Sequence, residues 1–167
     1  MKKSSAKVGL KFDTKWSYAP APETPDHIQL KEKYDLFING KFTAPSSKKY
    51  FDTINPATEK KIASVAEANA ADVDKAVTAA RTAQQKVWSK ISPAERGKYI
   101  YRIARVMQEK ARELAIIESI DGGKPIRESR DIDVPLAAAH FFYYAGWADK
   151  LEYAFPGKKP APLGVAG

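Results

Sequence analysis

Hydrophobic and polar residues alternate in the first ordered part of the chain. This alternation predicts two short strands joined at Asn39-Gly40, because both central residues of a tight hairpin turn need a positive φ, which Asn and Gly tolerate. Two further strands are predicted at residues 50–54 and 61–65, on either side of the turn-forming run 55–58. The opening of the chain is therefore expected to consist of short antiparallel strands.

From Asn69 onward apolar residues recur at steps of three and four, which predicts helices. The first helix is expected to begin after Asn69 as its N-cap and to end near Trp88. Residues 92–95 form a capping box that predicts the start of a second helical region. The pattern allows a break in this region near residues 108–110, and the region ends at the glycine pair 122–123. A last helical stretch is expected at about 131–150, and residues 163–167 resemble the beginning of a strand. The pattern thus predicts an α+β fold with short antiparallel strands followed by about four helices.

The composition excludes several kinds of site. The chain has 167 residues, no cysteine and two histidines that lie far apart. Disulfides, thiolate zinc sites and cysteine nucleophiles are therefore excluded within this sequence, and a transition-metal site would need carboxylates alone.

The positive charge is concentrated near the start of the chain. The formal net charge is +8, and residues 1–33 are basic and proline-rich. A basic lead segment can contact nucleic acid or anionic lipid, but no RNA-binding signature or regular basic helix accompanies it, so a solvated tail is favoured and no specific nucleic-acid partner is expected. Charged residues interrupt any signal peptide and no apolar stretch is long enough to span a membrane, which leaves a cytoplasmic protein as the expectation.

Motifs for catalysis are absent, and two local candidates have simpler interpretations. There is no glycine-rich phosphate-binding turn, nucleophile elbow, phosphate loop or zinc-protease motif. Asp131 and Asp133 could act as an acid/base pair or bind a divalent cation, or they could be helix-start acids neutralised by Arg127 and Arg130. His140 could be a general base or a packed residue in an aromatic helix. The residues alone thus assign no catalytic and no cofactor-binding residue.

Five motifs, in order, resemble a known family. They are residues 36–42 (LFINGKF), 53–58 (TINPAT), 71–77 (ADVDKAV), 118–125 (ESIDGGKP) and 143–150 (YYAGWADK). Residues 34–167 resemble the amino-terminal part of an aldehyde dehydrogenase domain, cut before the catalytic and main cofactor-binding motifs. Residues 16–23 and 127–134 look like the family-sixteen branch. The resemblance implies a fragment of the α/β aldehyde dehydrogenase fold, preceded by the lead segment 1–33.

The resemblance implies an activity for a longer parent protein. Members of the family oxidise an aldehyde to a carboxylic acid through a cysteine thiolate and transfer a hydride to NAD or NADP. The present chain alone is expected to be inactive and to bind no cofactor. Its expected partner is the remainder of the polypeptide or a complementary fragment. Assembly into a homo-oligomer is also possible within this resemblance. The alternative is a non-enzymatic interaction module derived from this segment, with Trp16 and Tyr18 of the lead segment in its contact region.

The resemblance also implies roles for five residues. Ile132 and Leu136 match positions that line the aldehyde entrance tunnel of the family. Asp121, together with the carbonyl of Ile54 or its neighbour Thr53, matches a monovalent-cation site of the family. The alternatives are that Ile132 and Leu136 belong to a helix core and that Asp121 is a turn former before the glycine pair.

Overall fold

The computed structural model describes residues 23–167. Its strands are β1 (Lys33–Tyr34), β2 (Leu36–Ile38), β3 (Lys41–Thr43), β4 (Tyr50–Ile54) and β5 (Lys61–Ala66). Its helices are α1 (Ala70–Ala83), α2 (Pro93–Glu109), α3 (Ala111–Gly122), α4 (Ile126–Glu128), α5 (Val134–Trp147) and α6 (Leu151–Ala154). A 3₁₀ turn, Pro25–His27, precedes them, and π-helical turns follow α1 (Gln84–Trp88) and precede α5 (Ser129–Asp133). Trp16, Tyr18 and most of the lead segment lie outside the described residues.

The strands form two small sheets. β2 and β3 make an antiparallel hairpin, and the positive φ angles of Asn39 (52°) and Gly40 (75°) confirm the predicted turn. β4 and β5 are antiparallel, as expected from the sequence. β1 pairs with β5 in parallel, which gives the order β1-β5-β4 and differs from the prediction of antiparallel strands alone. A two-residue strand is too short to show any alternation of hydrophobicity.

The start of α1 is tied to the loop between β3 and β4 through one carboxylate. The Asn69 side chain accepts a hydrogen bond from the Asp72 amide at 3.1 Å, and the Asp72 carboxylate accepts one from the Asn69 amide at 3.3 Å. The same carboxylate accepts bonds from the Ser46 amide at 3.0 Å and the Ser46 hydroxyl at 2.5 Å. Asp72 is buried, so these donors replace the water that it loses on folding.

The helix boundaries follow the local signals. Ser92 accepts a hydrogen bond from the Glu95 amide at 3.2 Å, and Pro93 occupies the first helical position of α2. Lys110 separates α2 from α3, at the predicted break. Gly123 ends α3 with a φ of 71°, a left-handed conformation that glycine adopts without steric cost.

The last long helix is entered through a π turn. Pro135 lies in the first turn of α5 and cannot donate a hydrogen bond to the preceding turn because it lacks an N–H group. The backbone immediately before it forms the wider turn Ser129–Asp133. Residues 163–167 form no strand, contrary to the prediction, because a strand requires a hydrogen-bonded neighbour and none of the described strands pairs with them.

Small side chains fill the interior that the described residues form. Ala104 and Ala115 are fully buried, and most of the other buried apolar residues are also alanines. Larger apolar residues lie on the surface, including Tyr143 (59% exposed) and Tyr144 (61% exposed) in the aromatic run of α5. Hydropathy favours burial of this run within a larger protein, and in the chain by itself the run is largely exposed, as expected for helix faces whose packing partner is not part of the chain. No helix of the described part is long and apolar enough to cross a bilayer.

The Asp72 contacts predict an acid-sensitive start of α1. The Ser46 hydroxyl, with the amides of Ser46 and Asn69, lowers the pKa of Asp72 below its ordinary value. A carboxyl group whose pKa is lower in the folded state stabilises the fold above its unfolded pKa of about 3.9, and this contribution is lost as the pH falls through the folded pKa. Urea unfolding should therefore show that Asp72→Asn is less stable than the wild type at pH 7 and that the difference shrinks in acid.

Asp74→Asn provides the matched control, because Asp74 is exposed on the same helix. We expect this variant to have nearly wild-type stability at every pH. A difference for Asp72→Asn that stays constant down to the most acidic conditions would contradict the assignment.

Candidate functional site

The end of β4 and the end of α3 meet at the predicted cation site. The Thr53 hydroxyl donates a hydrogen bond to the Asp121 carboxylate. The register of β4 against β5 shifts between Thr53 and Ile54, a local irregularity of the kind that redirects side chains at sheet edges. The structure thus brings Thr53 and Asp121 into contact, with Ile54 adjacent in the chain.

A tight loop holds this meeting point in place. The Asn55 side chain accepts a hydrogen bond from the Ala57 amide at 2.9 Å, which closes the turn after β4. Pro56 in that turn lies against Gly123, where a Cβ atom would be 3.2 Å from the proline ring. Gly123 therefore serves two purposes, since it ends α3 and lets the loop approach the helix end closely.

The chemistry of this meeting point suits a weakly bound cation. Hydroxyl, carboxylate and carbonyl oxygens are ligands for hard cations, and a helix C-terminus carries partial negative charge. Within residues 23–167 no group of three or more histidine, aspartate or glutamate side chains could hold a metal ion. A monovalent cation at Thr53, Ile54 and Asp121 remains a prediction.

The two predicted tunnel residues lie on the surface of the chain. Ile132 belongs to the π turn before α5 and Leu136 to α5 itself, and they are 55% and 52% exposed. They therefore do not belong to a helix core formed by the described residues. Four positions separate them in the helical backbone that runs from the π turn into α5.

The π turn that carries Ile132 is anchored to α3. Ser129 is fully buried, and the hydroxyl of Ser119 donates to its hydroxyl at 3.1 Å. The Lys124 ammonium donates to the Asp133 carboxylate, and this bond raises the pKa of Lys124. Sequence reasoning did not identify these anchors, because the contacts join residues whose roles depend on how α3 and the π turn are packed.

The carboxylates around the π turn are paired with cations. Asp131 accepts a hydrogen bond from the Arg130 side chain at 2.7 Å, and this bond lowers the pKa of Asp131. Asp133 is paired with Lys124. These contacts favour the interpretation in which the acids are neutralised locally over one in which they form an acid/base pair.

His140 is exposed on α5. The sequence favoured a packed histidine in an aromatic helix, and this interpretation is wrong for the chain by itself because the neighbouring aromatics are also at the surface. Among the described residues the side chain of His140 forms no hydrogen bond and no ion pair.

Comparison with known proteins identifies the family. The profile of the aldehyde dehydrogenase family matches residues 42–165. The chain is 50% identical to DhaS of Bacillus subtilis (strain 168) over 117 residues, which are 70% of this chain and 24% of that protein. It is 40% identical to an aldehyde dehydrogenase of Alternaria alternata over 152 residues, which are 86% of this chain and 31% of the relative.

Solved structures share the fold. Indole-3-acetaldehyde dehydrogenase in its apo form matches with a TM-score of 0.70 at 38% identity, over 72% of this chain and 28% of that one. The NAD+ complex of aldehyde dehydrogenase from Bacillus cereus matches with a TM-score of 0.70 at 40% identity, over 74% of this chain and 27% of that one. The chain thus spans less than a third of the relatives named here. It belongs to the aldehyde dehydrogenase family and corresponds to the amino-terminal part of these larger proteins.

Proposed function

We propose that the chain is the amino-terminal portion of an NAD(P)-dependent aldehyde dehydrogenase that converts an aldehyde to a carboxylic acid. In this proposal it contributes Ile132 and Leu136 to the wall of the substrate tunnel and Thr53, Ile54 and Asp121 to a cation site. The nucleophile and the cofactor site come from the remainder of the polypeptide, because this chain has no cysteine and no glycine-rich phosphate-binding turn.

The observation that carries the proposal is the distribution of apolar residues by size. The buried apolar set consists mostly of alanines, whereas large side chains on α2 and α5 are exposed. Burying one large apolar side chain is worth about 1.5–3 kcal/mol, so a surface rich in such residues gains stability when another part of the protein covers it. Coverage of these helices by the remainder of a larger polypeptide would explain this distribution.

The tunnel assignment follows from the chemistry of the exposed face. Ile132 and Leu136 present branched aliphatic side chains on adjacent turns. An apolar wall removes water from an aldehyde that passes along it, which strengthens the electrostatic interactions at the reacting centre. The anchored π turn would keep this wall rigid.

The cofactor proposal rests on relatives. The structures of PnpE and of the Bacillus cereus aldehyde dehydrogenase were solved with NAD. We extend NAD or NADP to the parent of this chain and expect neither to bind residues 1–167 alone. When bound, the nicotinamide would supply the hydride acceptor, and the present residues would hold the substrate channel.

The direct test is complementation by the remainder of an aldehyde dehydrogenase polypeptide. We expect the purified chain to give no aldehyde-dependent reduction of NAD or NADP, and co-expression with a fragment of the Bacillus subtilis relative that begins after the position of Gly167 to restore it. Copurification without turnover would favour the interaction-module alternative, and turnover by the chain alone would contradict the proposal.

The tunnel assignment can be tested in the complemented enzyme. Ile132→Asp should lower kcat/KM for an apolar aldehyde on the order of tenfold, because a charge replaces an apolar contact with the substrate. Val73→Asp is the control, since Val73 is exposed to a similar degree (53%) on α1. Equal losses in the two variants at equal complex yield would contradict the tunnel role.

The cation assignment can be tested on the chain alone. A cation that binds the folded state stabilises it by about 0.4 kcal/mol when its concentration equals its dissociation constant. We expect sodium or potassium chloride to raise the melting midpoint above that in choline chloride of equal ionic strength, and Asp121→Asn to abolish the difference. Glu118→Gln, an exposed change on the same helix, should preserve it. An identical response in Asp121→Asn and the wild type would contradict the site.

A further inference from the structure

A groove of about 500 Å³ lies between α2 and α5, away from the proposed tunnel and cation residues. Two glycines shape it. At Gly97 a Cβ atom would lie 2.9 Å from the Ala145 carbonyl oxygen, so this glycine lets the two helices touch. At Gly146 a Cβ atom would meet nothing within 4 Å, so this glycine leaves open space above α5. The volume falls within the range of small-molecule sites.

One wall of the groove presents aromatic surface. Tyr101 on α2 and Phe142 on α5 are in edge-to-face contact, with ring centroids 4.9 Å apart and an interplanar angle of 64°. Tyr101 is 52% exposed, so much of its surface remains available to a ligand. An exposed aromatic face of this kind stacks favourably with a flat, aromatic molecule.

The rim of the groove is positively charged. Lys98 and Arg102 lie one turn apart on α2, and within residues 23–167 neither forms an ion pair. Lys150, on the opposite wall, pairs with the neighbouring Asp149 at 2.7 Å. Two of the three cations thus lack an anionic partner, and of these the Arg102 guanidinium lies over the Tyr99 ring, 5.9 Å from its centroid. Two uncompensated positive charges match the charge of a phosphate monoester rather than that of a single carboxylate.

We propose that this groove binds a planar aromatic molecule that carries a phosphate group, of the nucleoside monophosphate class. The ring stacks against Tyr101 and Phe142, while the phosphate lies between Lys98 and Arg102 on one wall and Lys150 on the other. The groove contains none of the residues assigned to aldehyde chemistry, so the proposal stands or falls separately from the proposed function.

Hydrogen exchange of the full chain at increasing AMP concentration tests the proposal. We expect saturable protection in both walls, at residues 94–102 and 142–150. Adenosine and inorganic phosphate should each bind at least about tenfold more weakly than AMP, because each lacks one of the two interactions. Equal affinities for phosphate and AMP would show that the groove binds anions without recognising the ring, and would overturn the proposal. An absence of protection by AMP would also overturn it.

Charge variants test the role of the rim. The double variant Lys98→Gln/Arg102→Gln should lower the affinity for AMP by about tenfold or more. The control, Lys86→Gln/Lys90→Gln, removes the same charge outside the groove and should change the affinity by less than about twofold. Melting midpoints of both double variants verify that they fold. Equal weakening in the two would show that only net charge matters and would contradict a site between α2 and α5.

Discussion

The close approach of α2 and α5 is the contact on which the helical part of the structure depends. Gly97 lies directly beneath the backbone of Ala145, and a methyl group at this position would come to 2.9 Å from the Ala145 carbonyl oxygen. With glycine there, backbones rather than side chains set the distance between the helices. The neighbouring buried positions, Ala104 and Ala138, are also small, so the two helices interlock with little bulk between them.

This packing has a consequence for function. Because glycine and alanine form the closest part of this interface, many large residues of α2 and α5 lie at the surface, including Tyr144 and Leu136. The same arrangement that gives the chain a thin interior therefore produces an apolar outer surface, and in the proposed function this surface contacts the remainder of the polypeptide. The proposed tunnel wall is one part of that surface.

Features specified by local chemistry could be predicted from the sequence. The Asn39-Gly40 turn, the Asn69 and Ser92 caps and the end of α3 at Gly123 each depend on a few adjacent residues, and the structure confirms them. The meeting of Thr53 with Asp121 was expected only through family resemblance, since 68 positions separate the two residues.

The failures share a different cause. The exposure of His140 and the lack of a strand at 163–167 depend on whether other segments cover or pair with these residues. Hydropathy indicates that a residue favours burial, but it does not indicate which segment of the protein covers that residue. The hydrogen bonds between Asp72 and Ser46 could not be predicted either, because the sequence around a polar loop residue does not identify its long-range hydrogen-bond partner.

A comparison of two glycine substitutions tests the central claim most directly. Alanine is favoured over glycine inside a helix by about 1 kcal/mol, so Gly146→Ala, which meets open space, should raise the melting midpoint. Gly97→Ala should lower it, because a methyl group forced against the Ala145 carbonyl costs about 1–3 kcal/mol in displaced backbone. Opposite shifts in the two variants would support the account. A rise in both would show that α2 and α5 do not need their close approach and would contradict it.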